Sequence, residues 1–192
     1  MGMQDDAIPH YKTCKRWNNE SDAHCLTFSC FRLQKFLSRP RACQWLLDSI
    51  QQARERLGFH LWAYVIMPQH VHMVIWPQTV PIDVILKAVK LPVTKKALRW
   101  VRQEAPAFLP QMADVQPNGV IAHRFWQRGG GYDRNLRSDR DIHQKIQYVH
   151  NNPVRRNLVT KLEDWAWSSW HDYQDRPGLL PLDRGSLPVL EG

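Results

Sequence analysis

Acidic residues are in the minority in this chain, cysteines are few and unpaired, and long apolar runs are missing. Asp and Glu number 18 against 26 Lys and Arg, leaving a formal charge of +8 and a pI near 9.6. That balance favours a polyanionic partner, nucleic acid or an acidic membrane surface. No stretch approaches the ~18 uncharged apolar residues of a membrane span. The opening MGMQDDAIPHYKTCKRWNNE also lacks the apolar centre of a signal peptide, so a soluble, intracellular protein is expected. The four cysteines, Cys14, Cys25, Cys30 and Cys43, all fall in the first quarter with no CxxC pair, which argues against a zinc ribbon or a thioredoxin-like site. Reduced, mostly buried thiols are expected; a zinc site drawn from His10, Cys14, His24, Cys25 or Cys30 is the lesser alternative, because its spacing is irregular. Repeats and low-complexity segments are absent too.

What is present reads as one domain, residues 21–174, between a polar N-terminal segment (1–20) and a Pro/Gly/Leu-rich tail (175–192). HCLTFSCF (24–31) is a strand by its β-branched and aromatic content. RACQWLLDSIQQARERLG carries apolar residues at 42, 46, 47, 50, 53 and 57, a helical spacing that stops at Gly58. FHLWAYVIM and HVHMVIW, separated by the Pro68-Gln69 corner, predict an antiparallel hairpin. DVILKAVKLPVTKKALRWV (83–101) predicts a second amphipathic helix with a kink at Pro92. GVIAHRFWQ (119–127) predicts a fourth strand, RGGGYDRN a flexible turn, and SDRDIHQKIQYVHNN a third helix capped by Ser138 and stopping near Pro153. The order β-α-β-β-α-β implies an α+β, ferredoxin-like split βαβ: an antiparallel four-stranded sheet with both helices on one face, followed by the third helix and a C-terminal capping segment.

Two histidines interrupt the hairpin. Side chains two apart on a strand share a face, so His70 and His72 point the same way, close enough to bind one divalent ion. An isolated HxH is more often a hydrogen-bonded pair near a sheet edge. What shifts the balance is KIQYVHNNPVRRN (145–157) together with the basic composition. On a helix, positions i and i+4 lie about 40° apart, so Tyr148 can attack a phosphodiester while the carbonyl oxygen of Asn152 completes a metal shell. His150 points roughly 200° from Tyr148 and is the poorer third ligand.

AYVIMPQHVHMVIWP, FWQRGGGYDRNL, YVHNNPVRRNLV and WAWSSW occur in the order seen in REP-associated tyrosine transposases, a branch of the single-tyrosine HUH endonucleases. The chain resembles that family from about residue 24 to 173. The resemblance implies Mg²⁺ or Mn²⁺ held by His70, His72 and Asn152, and Tyr148 as the covalent nucleophile on 5′-phosphate. It also implies a single-stranded substrate, the palindromic repeat hairpins between bacterial genes, and hence a cytoplasmic, nucleoid-associated setting. Gln69 stands where the family often has Asn, and the glycine run 129–131 is longer than the pattern. Ligand softness favours Mn²⁺ over Mg²⁺ for imidazole with an amide oxygen.

Binding the strand needs further groups. Arg155 and Arg156 follow the tyrosine helix and are placed to clamp the flanking phosphates, while Arg124, Arg128, Arg134 and Arg137 line the path from the fourth strand to the next helix. Lys87, Lys90, Lys95 and Lys96 crowd the second helix, and Trp126 and Tyr132 beside the glycines are candidates for stacking on bases. A non-catalytic single-stranded DNA- or RNA-binding module of the same fold needs only the basic surface and leaves His70, His72 and Tyr148 unexplained. A zinc hydrolase lacks a general base, since the hairpin has no carboxylate between 60 and 82. A monomer is expected over a homodimer, with the C-terminal segment occupying the surface that related enzymes use to dimerise.

Overall fold

The computed structural model describes residues 22–190. The N-terminal segment, with His10 and Cys14 of the zinc alternative, lies outside the described residues. Four strands form the main sheet: β1 (Ala23–Ser29), β2 (His60–Ile66), β3 (His70–Trp76) and an edge strand, β6 (Tyr132–Leu136). Their order is β2-β3-β1-β6, with every pairing antiparallel. Helices α1 (Pro40–Leu57) and α2 (Ile82–Glu104) bury their apolar stripes on one face, where Leu46, Ile50, Val89 and Val93 meet Leu26, Phe28, Met73 and Ile75. The expected ferredoxin-like arrangement is present. Helix α3 (Asp139–Arg155) covers the opposite face, setting Ile142, Ile146 and Val149 against Cys25, Val65 and Val74.

One expected strand is corrected. Residues 119–127 do not supply the sheet's fourth strand: Ile121–His123 (β5) pairs only with Ala113–Val115 (β4) in a separate two-stranded ribbon. The fourth strand is YDRNL, read from the sequence as a turn. An edge strand with one neighbour buries little, and only Leu136 in β6 is fully buried, so its pattern is polar where periodicity looks for apolar alternation.

Glycine decides where β6 can begin. Gly131 has φ +80°, and a Cβ there would be driven into the Thr27 carbonyl oxygen. Gly58, at the C-cap of α1, has φ +76° but open space around it. Gly58→Ala is therefore expected to cost about 1 kcal/mol, the left-handed penalty alone. Gly131→Ala is expected to cost about 3 kcal/mol or more, because backbone must move as well. Urea unfolding of the two variants measures the difference, and equal costs would show that the β1–β6 approach is loose.

Neither helix proline breaks its helix. Pro92 takes away the N–H that Ala88 would receive, and α2 runs on to Glu104; Ser49 Oγ of α1 donates to the Val89 carbonyl at 2.8 Å and reaches that of Ala88 at 3.4 Å. Pro153 likewise sits inside α3, which continues to Arg155. Asn152 therefore stays on the helical path.

The C-terminal segment wraps the free edge of β2. Ile66 N–H donates to the Trp167 carbonyl at 2.9 Å, Trp165 Nε1 donates to the Ile66 carbonyl at 3.0 Å, and Tyr173 Oη donates to the Trp62 carbonyl at 2.9 Å. Further on, Asp183 pairs with Arg54 at 2.7 Å and accepts from Leu61 N–H at 2.7 Å. These bonds consume the donors and acceptors that an open edge would offer to another chain.

The three described cysteines act as core residues. Cys25, Cys30 and Cys43 are free thiols and buried, with burial pushing them up to about 11, 12 and 12 respectively. Cys25 packs on the α3 face of the sheet and Cys30 on the other, so one zinc ion cannot take both. Among the described residues, no three His, Cys, Asp or Glu side chains gather into a metal cluster, and no helix is long and apolar enough to cross a membrane.

Candidate active site

His70 and His72 stand at the start of the central strand β3, on the face that α3 covers. Their Nε2 atoms are 3.0 Å apart. Two ligands at right angles around an octahedral ion, each bound at about 2.1 Å, are also about 3.0 Å apart, so the pair has the bite that such an ion requires. The register of β1 supplies the support: Thr27 lies opposite His72, and Thr27 Oγ1 is 2.7 Å from His72 Nδ1. With Nδ1 donating to that oxygen, Nε2 keeps its lone pair for a cation. Thr27 was not legible as a site residue, since nothing in HCLTFSCF shows which strand it will face.

Helix α3 brings the rest. The Tyr148 ring is half-buried and meets His72 edge to face, centroids 5.9 Å apart. Lys145 Nζ lies 5.0 Å and the Arg155 guanidinium 4.9 Å from the Tyr148 ring centroid. Arg156, just past the helix, repels protons from both histidines, as Lys145 does from His72. Lys145, Tyr148, Asn152 and Arg156 are spaced three, four and four apart, one stripe of the helix. Lys145 was missed in the sequence, although its place three residues before Tyr148 was the available signal.

Asn152 is buried. Its Nδ2 donates to the Tyr148 carbonyl at 2.8 Å and lies 3.5 Å from that of Val149, the acceptor that Pro153 deprives of its donor. The amide nitrogen is thus engaged by the helix, so Oδ1 is the atom of this side chain that would be offered to a cation. His150 faces elsewhere, as its helical angle predicts: its Nε2 is 2.9 Å from Ser169 Oγ, a hydroxyl that also accepts from Tyr64 N–H and donates to the Tyr64 carbonyl. A hydroxyl has one proton to give, so His150 must be the donor there. That three-way bond ties α3 to β2 between Tyr148 and Asn152.

Burial is the main cause that holds the three histidines neutral, lowering His70 to about 4, His72 to about 3 and His150 to about 4 from 6.5. A depressed histidine is neutral in both folded and unfolded chains above pH 6.5. Below that the unfolded chain takes protons first, so folding stability is expected to fall as pH drops from 6.5 towards 4, by up to about 1.4 kcal/mol per pH unit for each histidine. Urea midpoints between pH 8 and 4 test this. A flat profile through pH 5 would mean that the sites are wetter than their packing shows.

The other proposed binding residues divide into groups. Lys87, Lys90, Arg124 and Arg128 line a cavity of about 450 Å³ between α2 and residues 123–130. Arg124 and Arg128 both pair with Asp114, which their hydrogen bonds, chiefly that of Arg124, hold down at about 2. Arg134 pairs with Asp141 at 3.0 Å, and Arg137 is exposed after β6. Lys95 and Lys96 point to solvent further along α2, Lys96 towards Asp48 of α1; neither joins the cavity. Tyr132 is exposed and lies opposite Thr27, beside the histidine row. Trp126 is a correction: it is buried against Phe28 and Phe125, with Nε1 donating to the Lys90 carbonyl at 3.0 Å, so it belongs to the wall of that cavity and is not an exposed stacking platform.

No protein-family model matches the chain. A protein of Haemophilus influenzae (strain ATCC 51907 / DSM 11121 / KW20 / Rd), provisionally named a REP-associated tyrosine transposase, is 25% identical over 145 residues, which span 75% of this chain and 77% of the relative. The REP-associated tyrosine transposase of Escherichia coli (strain K12) is 24% identical over 140 residues, 73% of this chain and 71% of the relative. Both relatives that this chain is similar to are thus named as REP-associated tyrosine transposases. The solved structure of a REP-associated tyrosine transposase bound to a REP hairpin superposes with a TM-score of 0.64 at 20% identity, covering 94% of this chain and 96% of the other. That transposase and this chain therefore share a fold.

Proposed function

We propose that this chain is a metal-dependent, single-stranded DNA endonuclease and strand transferase that acts on REP hairpins through a covalent 5′-phosphotyrosine. The observation that carries the reading is the approach of Tyr148 to the His70–His72 pair, with Lys145 and Arg155 against the phenol ring. His70 and His72 would hold Mg²⁺ or Mn²⁺ through Nε2, with Asn152 Oδ1 as third ligand. Such an ion supplies charge neutralisation at a phosphodiester and at a leaving 3′-oxygen. The residues of the chain do the rest. Lys145, Arg155 and Arg156 draw in the phosphate and hold it beside the phenol. Tyr148 Oη bonds to phosphorus as its proton passes to solvent; the bond from phosphorus to the 3′-oxygen breaks, and that oxygen leaves with the bonding pair and takes up a proton. One phosphodiester is exchanged for another, so a second 3′-hydroxyl reverses the reaction and joins strands without a nucleotide cofactor.

A monomer is the acting unit in this reading, because Tyr148 and both histidines come from one chain and the C-terminal segment covers the outer edge of β2. It would work in the cytoplasm, at the nucleoid. The test is a hairpin oligonucleotide labelled on either side of the cut and incubated with Mn²⁺ or EDTA, then run on a denaturing protein gel. Label 3′ of the cut should travel with the protein in Mn²⁺ only. Free products with no protein-linked label would overturn the covalent mechanism.

A further inference from the structure

The cavity beside α2 is on the opposite face of the sheet from Tyr148, yet it opens at the same end. Gln127 N–H donates to the Ser29 carbonyl at 2.8 Å, and Ser29 lies opposite His70. The wall of the cavity is thus fastened to the strand that neighbours the histidines. From there Gly129 and Gly131, both at positive φ, carry the chain over the sheet edge to Tyr132 on the histidine face.

We propose that this cavity takes one unpaired nucleotide of the single-stranded DNA flanking the hairpin; the inference rests on the DNA reading above. Its volume, about 450 Å³, lies within the roughly 300–1,000 Å³ range of sites that enclose small-molecule-sized groups. Its chemistry is divided as a nucleotide is. Leu86 and Phe125 give an apolar inner wall, while Lys87, Lys90, Arg124 and Arg128 supply cations. Against those four stand two carboxylates, Asp83 in the wall and Asp114 behind the two arginines, so an excess of positive charge remains for phosphate. Asp114 also holds both guanidinium groups in place, and Lys90 Nζ is fixed by donating to the Gly129 carbonyl at 3.0 Å. Thr94 is part of the wall, and because its hydroxyl proton goes to the Lys90 carbonyl at 3.1 Å, that oxygen can serve a base only as an acceptor. Cations with an apolar wall are the combination by which single strands are bound.

The experiment uses the full chain and hairpin oligonucleotides with single-stranded flanks, each flank position replaced in turn by an abasic residue, with affinity read by fluorescence anisotropy. One position should show a penalty of about tenfold, the loss of one base contact. The Lys87→Ala/Arg128→Ala protein should bind the intact flanked hairpin about tenfold more weakly and no longer distinguish that abasic site. A penalty that persists undiminished in the double variant, or no flank position with any penalty, overturns the cavity proposal while hairpin binding still stands. Failure of the unaltered protein to prefer hairpins over random duplex would overturn the DNA reading itself, and the cavity proposal with it.

Discussion

Tyr148→Phe is expected to leave hairpin affinity within about threefold and to lower cleavage by about 10⁴-fold or more, the scale seen when a covalent nucleophile is removed. The substitution takes away one oxygen and keeps the ring. What packs on that ring, His72 at 5.9 Å and the cations of Lys145 and Arg155, has no reason to move, so the positive surface that attracts the strand survives. The chemistry does not, because no other atom in the stripe of α3 can form an ester with phosphorus. A rival phenol is that of Tyr132, exposed at the start of β6 and separated from His72 by Thr27. A denaturing gel separates the two: Tyr132→Phe, which keeps a stacking ring, should still trap labelled DNA, and Tyr148→Phe should trap none. Adduct on the Tyr148→Phe protein would move the nucleophile elsewhere.

Much of this centre was legible because its parts are local. HVH places two rings on one face of a strand by the period of two, and YVHNN places a phenol and an amide on one face of a helix by the period of 3.6. That the strand and the helix would meet is a long-range fact, and it came from the resemblance between ordered motifs. What stayed hidden was set by tertiary register. Thr27 becomes a partner of His72 only because β1 pairs with β3 at one offset, and YDRNL becomes a strand only because Gly131 lets it close on Thr27. Trp126 illustrates the opposite error: a tryptophan beside a glycine loop suggests a stacking platform, whereas Phe28 and the Lys90 carbonyl claim both the ring and its N–H. Pro153 suggested a helix end, and the helix passed through it because a proline removes one hydrogen bond and Asn152 stands beside the carbonyl left over.

His70→Ala and His72→Ala are each expected to lower cleavage by about 10³-fold or more while the fold stays intact, since both rings lie at the start of a strand and not in its apolar centre. The more telling variant is Thr27→Val, which keeps the shape of the side chain and deletes only the hydroxyl opposite His72 Nδ1. If that hydroxyl fixes the ring with Nε2 towards the cation, its loss should weaken Mn²⁺ binding by about 10- to 100-fold, the usual cost of removing such an outer partner. Calorimetric titration with Mn²⁺ reads that loss directly, without reference to cleavage. Raising Mn²⁺ should then restore the Thr27→Val protein towards full activity, because the site is weakened but still present. It should not restore His72→Ala, where one edge of the 3.0 Å nitrogen pair is gone, nor Tyr148→Phe, where the ion would be bound and the attacking oxygen missing. If instead Thr27→Val binds Mn²⁺ as the parent does, the hydroxyl serves β1–β3 packing alone. If all three histidine-side variants cleave normally, the pair is a hydrogen-bonded feature of the sheet and the reaction lies with other groups.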